Sequence, residues 1–164
     1  IAYVGVCGAL VLELRMGYGV AGVLLTVLAA KFTDIGAYFV GSRVGRHKMA
    51  PALSPKKSWE GLAGGLAVGT GMTVAVATVF RPLLLTPLAG TAGPLTIAWP
   101  AAAVFGLALG LAGQAADLCE SALKRDAGIK DSAALIPSFG GVLDILDSVL
   151  LSAPVAWLLL RWMG

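Results

Sequence analysis

Long runs without a single charge are the strongest constraint on what this sequence can fold into. Of 164 residues, eight charged ones fall between Lys31 and Glu60 and nine between Asp117 and Asp147; the rest of the chain holds only Glu13, Arg15, Arg81 and Arg161. An apolar stretch of about 20 residues crosses the hydrocarbon of a bilayer as a helix, and in lipid only helices and closed barrels satisfy every backbone polar group. With 58% of residues hydrophobic and 13% charged, against about 25% charged in an average soluble domain, too few polar side chains exist to clothe a water-facing surface. An ordinary soluble fold is excluded.

The pattern predicts an all-α, polytopic integral membrane bundle of about five transmembrane helices, forming one domain over residues 1–164. The expected spans are residues 1–13, 18–40, 59–81, 95–119 and 142–162, with a short polar turn around Glu13, Arg15 and Gly17 between the first two. Residues 41–58 carry Arg43, Arg46, His47, Lys48, Lys56 and Lys57 and no acid, which marks the segment as cytoplasmic by the positive-inside bias. Counting spans from there, the uncharged, Pro- and Gly-rich stretch 82–94 falls on the opposite side, and the charged stretch 120–141 returns to the cytoplasmic side. The chain opens on Ile1 inside an apolar run, with no initiator Met and no basic segment ahead of it, so its N-terminus reads as truncated. Gly61, Gly65 and Gly69 repeat at the four-residue spacing that lets membrane helices approach closely, so packing is favoured over a ligand contact there.

The net charge of +3 does not argue for nucleic acid, because basic residues flanking membrane spans are expected from topology alone. Cys7 and Cys119, far apart in apolar surroundings, suggest neither a disulfide framework nor a metal pair. Lone His47 reads as an exposed loop residue. Lys31 and Asp34 lie three apart inside a span, where a structural ion pair and a functional site are equally good readings.

Chemistry is concentrated in the two charged windows. Asp117, Glu120, Ser121 and Lys124 share one helical face, and Asp144 and Asp147 share another. Carboxylates inside apolar helices are costly unless they meet a cation or a watery cavity. Hard oxygen donors without His or Cys suit Mg²⁺, which takes one or two carboxylates and completes its shell with water and phosphate oxygens. Internal salt bridges with Lys124, Arg125 and Lys130 are the plainer alternative. In the first window, Ser54-Pro-Lys56-Lys57 sets adjacent cations just ahead of a span, as a nucleotide or a phospholipid headgroup would require.

These residues resemble the phosphatidate cytidylyltransferases, or CDP-diacylglycerol synthases. Ser121, Lys124-Arg125, Lys130-Asp131, Pro137, Gly140-Gly141, Asp144 and Asp147 stand at the spacings of that family's C-terminal signature. The segments DIGAYFVGSRVGRHK and SPKKSWEG match upstream patterns in the right order, so the similarity covers roughly Lys31 to Ser148. The resemblance implies transfer of a cytidylyl group from CTP to phosphatidic acid at the cytoplasmic face of a bacterial inner membrane, with Mg²⁺ as cofactor. Nucleic acid is not among the implied partners, and a homodimer is compatible with the pattern. By the same resemblance Asp117 and Asp144 would bind the metal, with Asp147 completing the acidic cluster. Lys124 would steady a phosphate, and Lys56 and Lys57 would hold the nucleotide or lipid phosphate. Ser54, Ser121, Arg125, Lys130 and Asp131 would complete the substrate site, and Gly140 and Gly141 would let backbone amides approach a phosphate.

Two positions depart from the family's commonest pattern: Phe139 replaces a His and Ile145 an Arg. The carboxylates, lysines and Gly-Gly turn remain, which favours a divergent active member. A CTP-dependent enzyme acting on another lipid, either an isoprenoid cytidylyltransferase or a polyprenol kinase, keeps the same nucleotide site. The DGxxAR run of the CDP-alcohol phosphotransferases does not occur in the sequence. A transporter would spread its polar residues across the bilayer instead of gathering them at one face, and a purely structural membrane subunit is the remaining alternative.

Overall fold

The computed structural model describes residues 2–51, 53–79, 97–126, 128 and 142–163, and among their side chains those at 2 and 142–147 are not included. Its elements are α1 (Ala2–Val44), β1 (Lys48–Ala50), β2 (Ser54–Ser58), α2 (Trp59–Thr78), α3 (Trp99–Asp126) and α4 (Val142–Met163). Among the described residues, three helices are long and apolar enough to cross a membrane: α1 from Tyr3 to Val44, α2, and α3. The apolar described part of α4 runs from Ser148 to Met163.

Two expectations are corrected. The first two expected spans both lie in α1, and the turn expected around Glu13, Arg15 and Gly17 is helical. Helical geometry is instead interrupted at Gly19, with φ 67° and ψ −164°. Glu and Arg are good helix formers whatever their charge, whereas a positive φ is cheap only for a residue without Cβ. The second correction concerns the basic window. It holds a two-stranded antiparallel sheet, Lys48 opposite Ser58 and Ala50 opposite Ser54, so the bundle is not purely helical.

The glycine spacing on α2 works as packing. Gly61, Gly65 and Gly69 are buried against a matching ladder on α1 formed by Gly41, Ala37, Thr33 and Ala29. The numbering descends on one helix as it ascends on the other, so the two run antiparallel. A Cβ at Gly61 would lie 2.9 Å from the Ala37 carbonyl oxygen, and one at Gly65 would lie 2.6 Å from that of Thr33. Gly106 of α3 repeats the device, since a Cβ there would lie 2.9 Å from the Thr70 Cα. Close backbone approach replaces the hydrophobic driving force that lipid cannot supply between helices.

Thr26, Thr33 and Thr73 are buried and return their hydroxyls to the carbonyls of Gly22, Ala29 and Gly69, each at 2.8 Å, which satisfies them inside their own helices. Leu14, Leu25, Phe105, Leu109 and Leu160 are essentially inaccessible and join α1, α3 and α4 in one core.

Candidate active site

The hairpin between α1 and α2 places the lysines. Ser58 ends β2 and caps α2, accepting a hydrogen bond at 3.1 Å from the Gly61 amide, as a Ser at an N-cap does for the third helical residue. Ser58 is buried because the chain leaving α1 passes directly over it: a Cβ at Gly45 would lie 2.5 Å from the Ser58 hydroxyl. The Trp59 amide also donates to the His47 carbonyl at 3.0 Å. With both ends of the hairpin fixed, Lys57 is carried inward, its side chain 15% exposed, while Lys56 stays exposed at the rim.

A cavity of about 250 Å³ opens here, lined from α1 by Asp34, Ala37 and Tyr38, from the hairpin by Ser54, Lys56, Lys57 and Ser58, and from α3 by Gln114 and Asp117. Lys57 Nζ stands 2.6 Å from Asp117 Oδ2 and 3.5 Å from the Gln114 carbonyl oxygen. The Gln114 side-chain amide donates to Asp34 Oδ1 at 3.1 Å. Asp34 pairs with Lys31 at 3.5 Å, and Lys31 donates to Ser148 Oγ at 2.7 Å. One polar chain therefore runs from α4 through α1 and α3 to the hairpin. Each of these half-buried charges meets an opposite charge or a hydrogen-bonding partner, the condition for retaining ions within apolar helices.

The fold brings Ser54, Lys56, Lys57 and Asp117 together across sixty residues of sequence. Lys124 lies farther along α3 and pairs with Glu120 at 3.0 Å. Ser121 is half-buried beside them and Arg125 is exposed. Neither these two nor Lys124 lines the cavity. Asp144 and Asp147 fall in the first turns of α4, with side chains outside the described set, and Lys130, Asp131, Gly140 and Gly141 lie outside the described residues. Sequence reasoning missed Gln114 and Tyr38. The signal for Gln114 was an uncharged amide three positions before Asp117 in an apolar helix, on the same helical face. Asp34, left open between structural and functional readings, is both ion-paired and part of the cavity wall.

No group of three or more His, Cys, Asp or Glu converges among the described residues. The donor set of the cavity is two carboxylates, Asp34 and Asp117, and the amide of Gln114. This all-oxygen set, open on one side, fits a hard divalent cation that keeps sites for phosphate oxygens, and it does not fit a soft metal.

Residues 1–163 match the cytidylyltransferase family. The phosphatidate cytidylyltransferase of Mycobacterium leprae (strain TN) is 42% identical over 142 residues, covering 87% of this chain and 41% of that protein. That of Bacillus subtilis (strain 168) is 36% identical over 160 residues, 96% of this chain and 55% of that protein. The phosphatidate cytidylyltransferase of Synechocystis sp. is 38% identical over 143 residues. The chain thus spans about half the length of the curated relatives it matches.

Proposed function

The chain belongs to the cytidylyltransferase family, and from that premise we propose that it is the catalytic part of an enzyme that transfers the cytidylyl group of CTP to phosphatidic acid. The products are CDP-diacylglycerol and pyrophosphate. The observation that carries this reading is the meeting of the two charged windows, Lys57 against Asp117 at 2.6 Å, in a cavity at one end of apolar helices. A lipid phosphate and a nucleotide can reach such a place together.

In the reaction an oxygen of the phosphatidate attacks the α-phosphorus of CTP. The new P–O bond forms as the bond to the β-phosphate bridge breaks, and pyrophosphate leaves with the charge. Such a transfer needs little covalent help but strong placement of cations. Lys57, held by Asp117 and the Gln114 carbonyl, is positioned to bind one phosphate group. Lys56 at the rim guides the second anion. Asp117 and Asp34 of the cavity, with Asp144 and Asp147 as the further carboxylates, would hold Mg²⁺, which when bound would neutralise charge developing on the phosphates. Lys124 and Arg125, with Ser121, Lys130, Asp131, Gly140 and Gly141, complete the substrate-binding surface in this proposal.

The topology we favour has five crossings, the first two separated at Gly19, in one domain. The active site faces the cytoplasm from a bacterial inner membrane, and a homodimer fits this arrangement.

Supplying CTP labelled separately at the α and γ phosphates to the full-length protein, with phosphatidic acid and Mg²⁺, tests the proposal. The α label is expected in lipid and the γ label in pyrophosphate, and chelation of divalent metal is expected to stop both. A γ label in lipid would mean a kinase, and ion flux without CTP turnover a transporter. Gln114→Leu leaves the Asp34 carboxylate without its amide donor and is expected to lower kcat/KM about tenfold, the worth of one hydrogen bond to a charged group. Steady-state kinetics against both substrates reads this, and an unchanged kcat/KM would make Gln114 a spectator.

A further inference from the structure

A second basic cluster shares no lining residue with the cavity described above. Arg46, His47 and Lys48, on the connection leaving α1, line an open depression of about 800 Å³ together with Trp59, Glu60 and Ala63. Its one acid is already engaged. The Glu60 carboxylate accepts from the backbone amides of Arg46 and His47, both at 3.2 Å, and lies 2.6 Å from His47 Nδ1. Glu60 therefore ties the loop to the first turn of α2, and the exposed side chains of Arg46 and Lys48 are left facing outward. Beside them the Trp59 indole is 57% exposed, at the end of a membrane-length helix where amphipathic rings mark headgroup level.

Beyond the depression lies an exposed strip of small residues on α2. Trp59, Ala63, Ala67 and Gly71 recur every four residues and are all exposed, on a face of α2 other than the buried Gly61, Gly65 and Gly69. A Cβ at Gly71 would meet nothing within 4 Å. Two cations at headgroup depth, above a shallow apolar strip, match a phosphodiester head and an acyl chain. We propose that this face binds one anionic phospholipid from the surrounding membrane, at a site separate from the CTP cavity. A second copy of the chain is the weaker occupant. Two-fold symmetry about the membrane normal would bring Arg46 and Lys48 of both copies to the same depth beside one another, where like charges repel.

The inference does not rest on the proposed catalytic activity, and its test is a binding measurement. The full-length protein is reconstituted in phosphatidylcholine doped with phosphatidylglycerol, and retained phosphatidylglycerol is counted per chain by native mass spectrometry. One retained molecule is expected. The double substitution Arg46→Gln with Lys48→Gln is expected to weaken it about thirtyfold, as two surface cations would, and Ala63→Phe, which fills the depression, is expected to displace it. Lys56→Gln with Lys57→Gln should leave it in place. Equal retention by the Arg46/Lys48 variant and the parent protein would overturn the proposal, as would competition by soluble glycerol phosphate as effective as that by intact lipid. Efficient crosslinking between two copies through Ala63→Cys, in a Cys7→Ser, Cys119→Ser background, would assign the face to a second chain instead.

Discussion

Replacing Asp117 with Asn is expected to lower CTP-dependent lipid cytidylylation by the full-length protein on the order of 10²–10³-fold, the usual cost of removing one electrostatic element from a charge-stabilising site. The change is nearly isosteric and leaves α3 intact, but it removes the charge facing Lys57 at 2.6 Å. Asp117 is 43% exposed, open enough to meet a phosphate-bound cation, whereas its partner Lys57 is only 15% exposed and would lose the charge that offsets its burial. Activity should therefore collapse, with a smaller fall in thermal stability in detergent from the Lys57 ammonium left with only the Gln114 carbonyl at 3.5 Å. Lys57→Met should give a loss of similar size. Combining the two should cost less than the product of the single effects, because neighbouring residues acting as a unit are not additive. Parental turnover by Asp117→Asn in mixed micelles would remove this carboxylate from the mechanism.

The largest structural effect is expected from Gly65→Val on α2. Its Cβ would enter the space 2.6 Å from the Thr33 carbonyl oxygen and 3.0 Å from the Ala37 amide nitrogen. These are backbone atoms that cannot rotate away, so α1 and α2 must separate. Overpacking a tight interface costs about 1–3 kcal/mol and occasionally more, and parting these helices would also pull Asp34 of α1 away from the hairpin lysines. The expected result is a marked fall in Tm of the solubilised protein together with loss of activity. Gly71→Ala on the same helix, with open space around it, should instead be neutral or stabilising by up to about 1 kcal/mol through helix propensity. Equal melting of the two variants would show that the glycine ladder does not set the helix spacing.

Much of this arrangement was legible in the sequence because bilayer crossing is a one-dimensional requirement. The apolar runs located α2, α3 and α4, and the glycine period on α2 announced its close contact. The break in α1 was misplaced by two residues or more because charge was taken as a turn signal at Glu13 and Arg15, when backbone conformation at Gly19 decided it. The hairpin went unseen because Lys48–Ala50 and Ser54–Ser58 are too short to establish a two-residue period. Of the residues lining the cavity, Lys56, Lys57 and Asp117 were singled out by their charge, which an apolar chain must explain. Gln114 and Tyr38 carry no formal charge and left no comparable trace.

The sequence by itself therefore determined a membrane-embedded helical protein with most of its charges gathered in two windows, since hydrocarbon thickness and the cost of buried charge act on composition and spacing alone. Only the tertiary structure decided which members of those windows face one another. Lys57 meets Asp117, while Lys124 turns to Glu120. That choice depends on how closely Gly61, Gly65 and Gly69 let α2 approach α1, and on the Ser58 cap that fixes where the hairpin ends. Both are distances between segments remote in sequence, which no local pattern encodes.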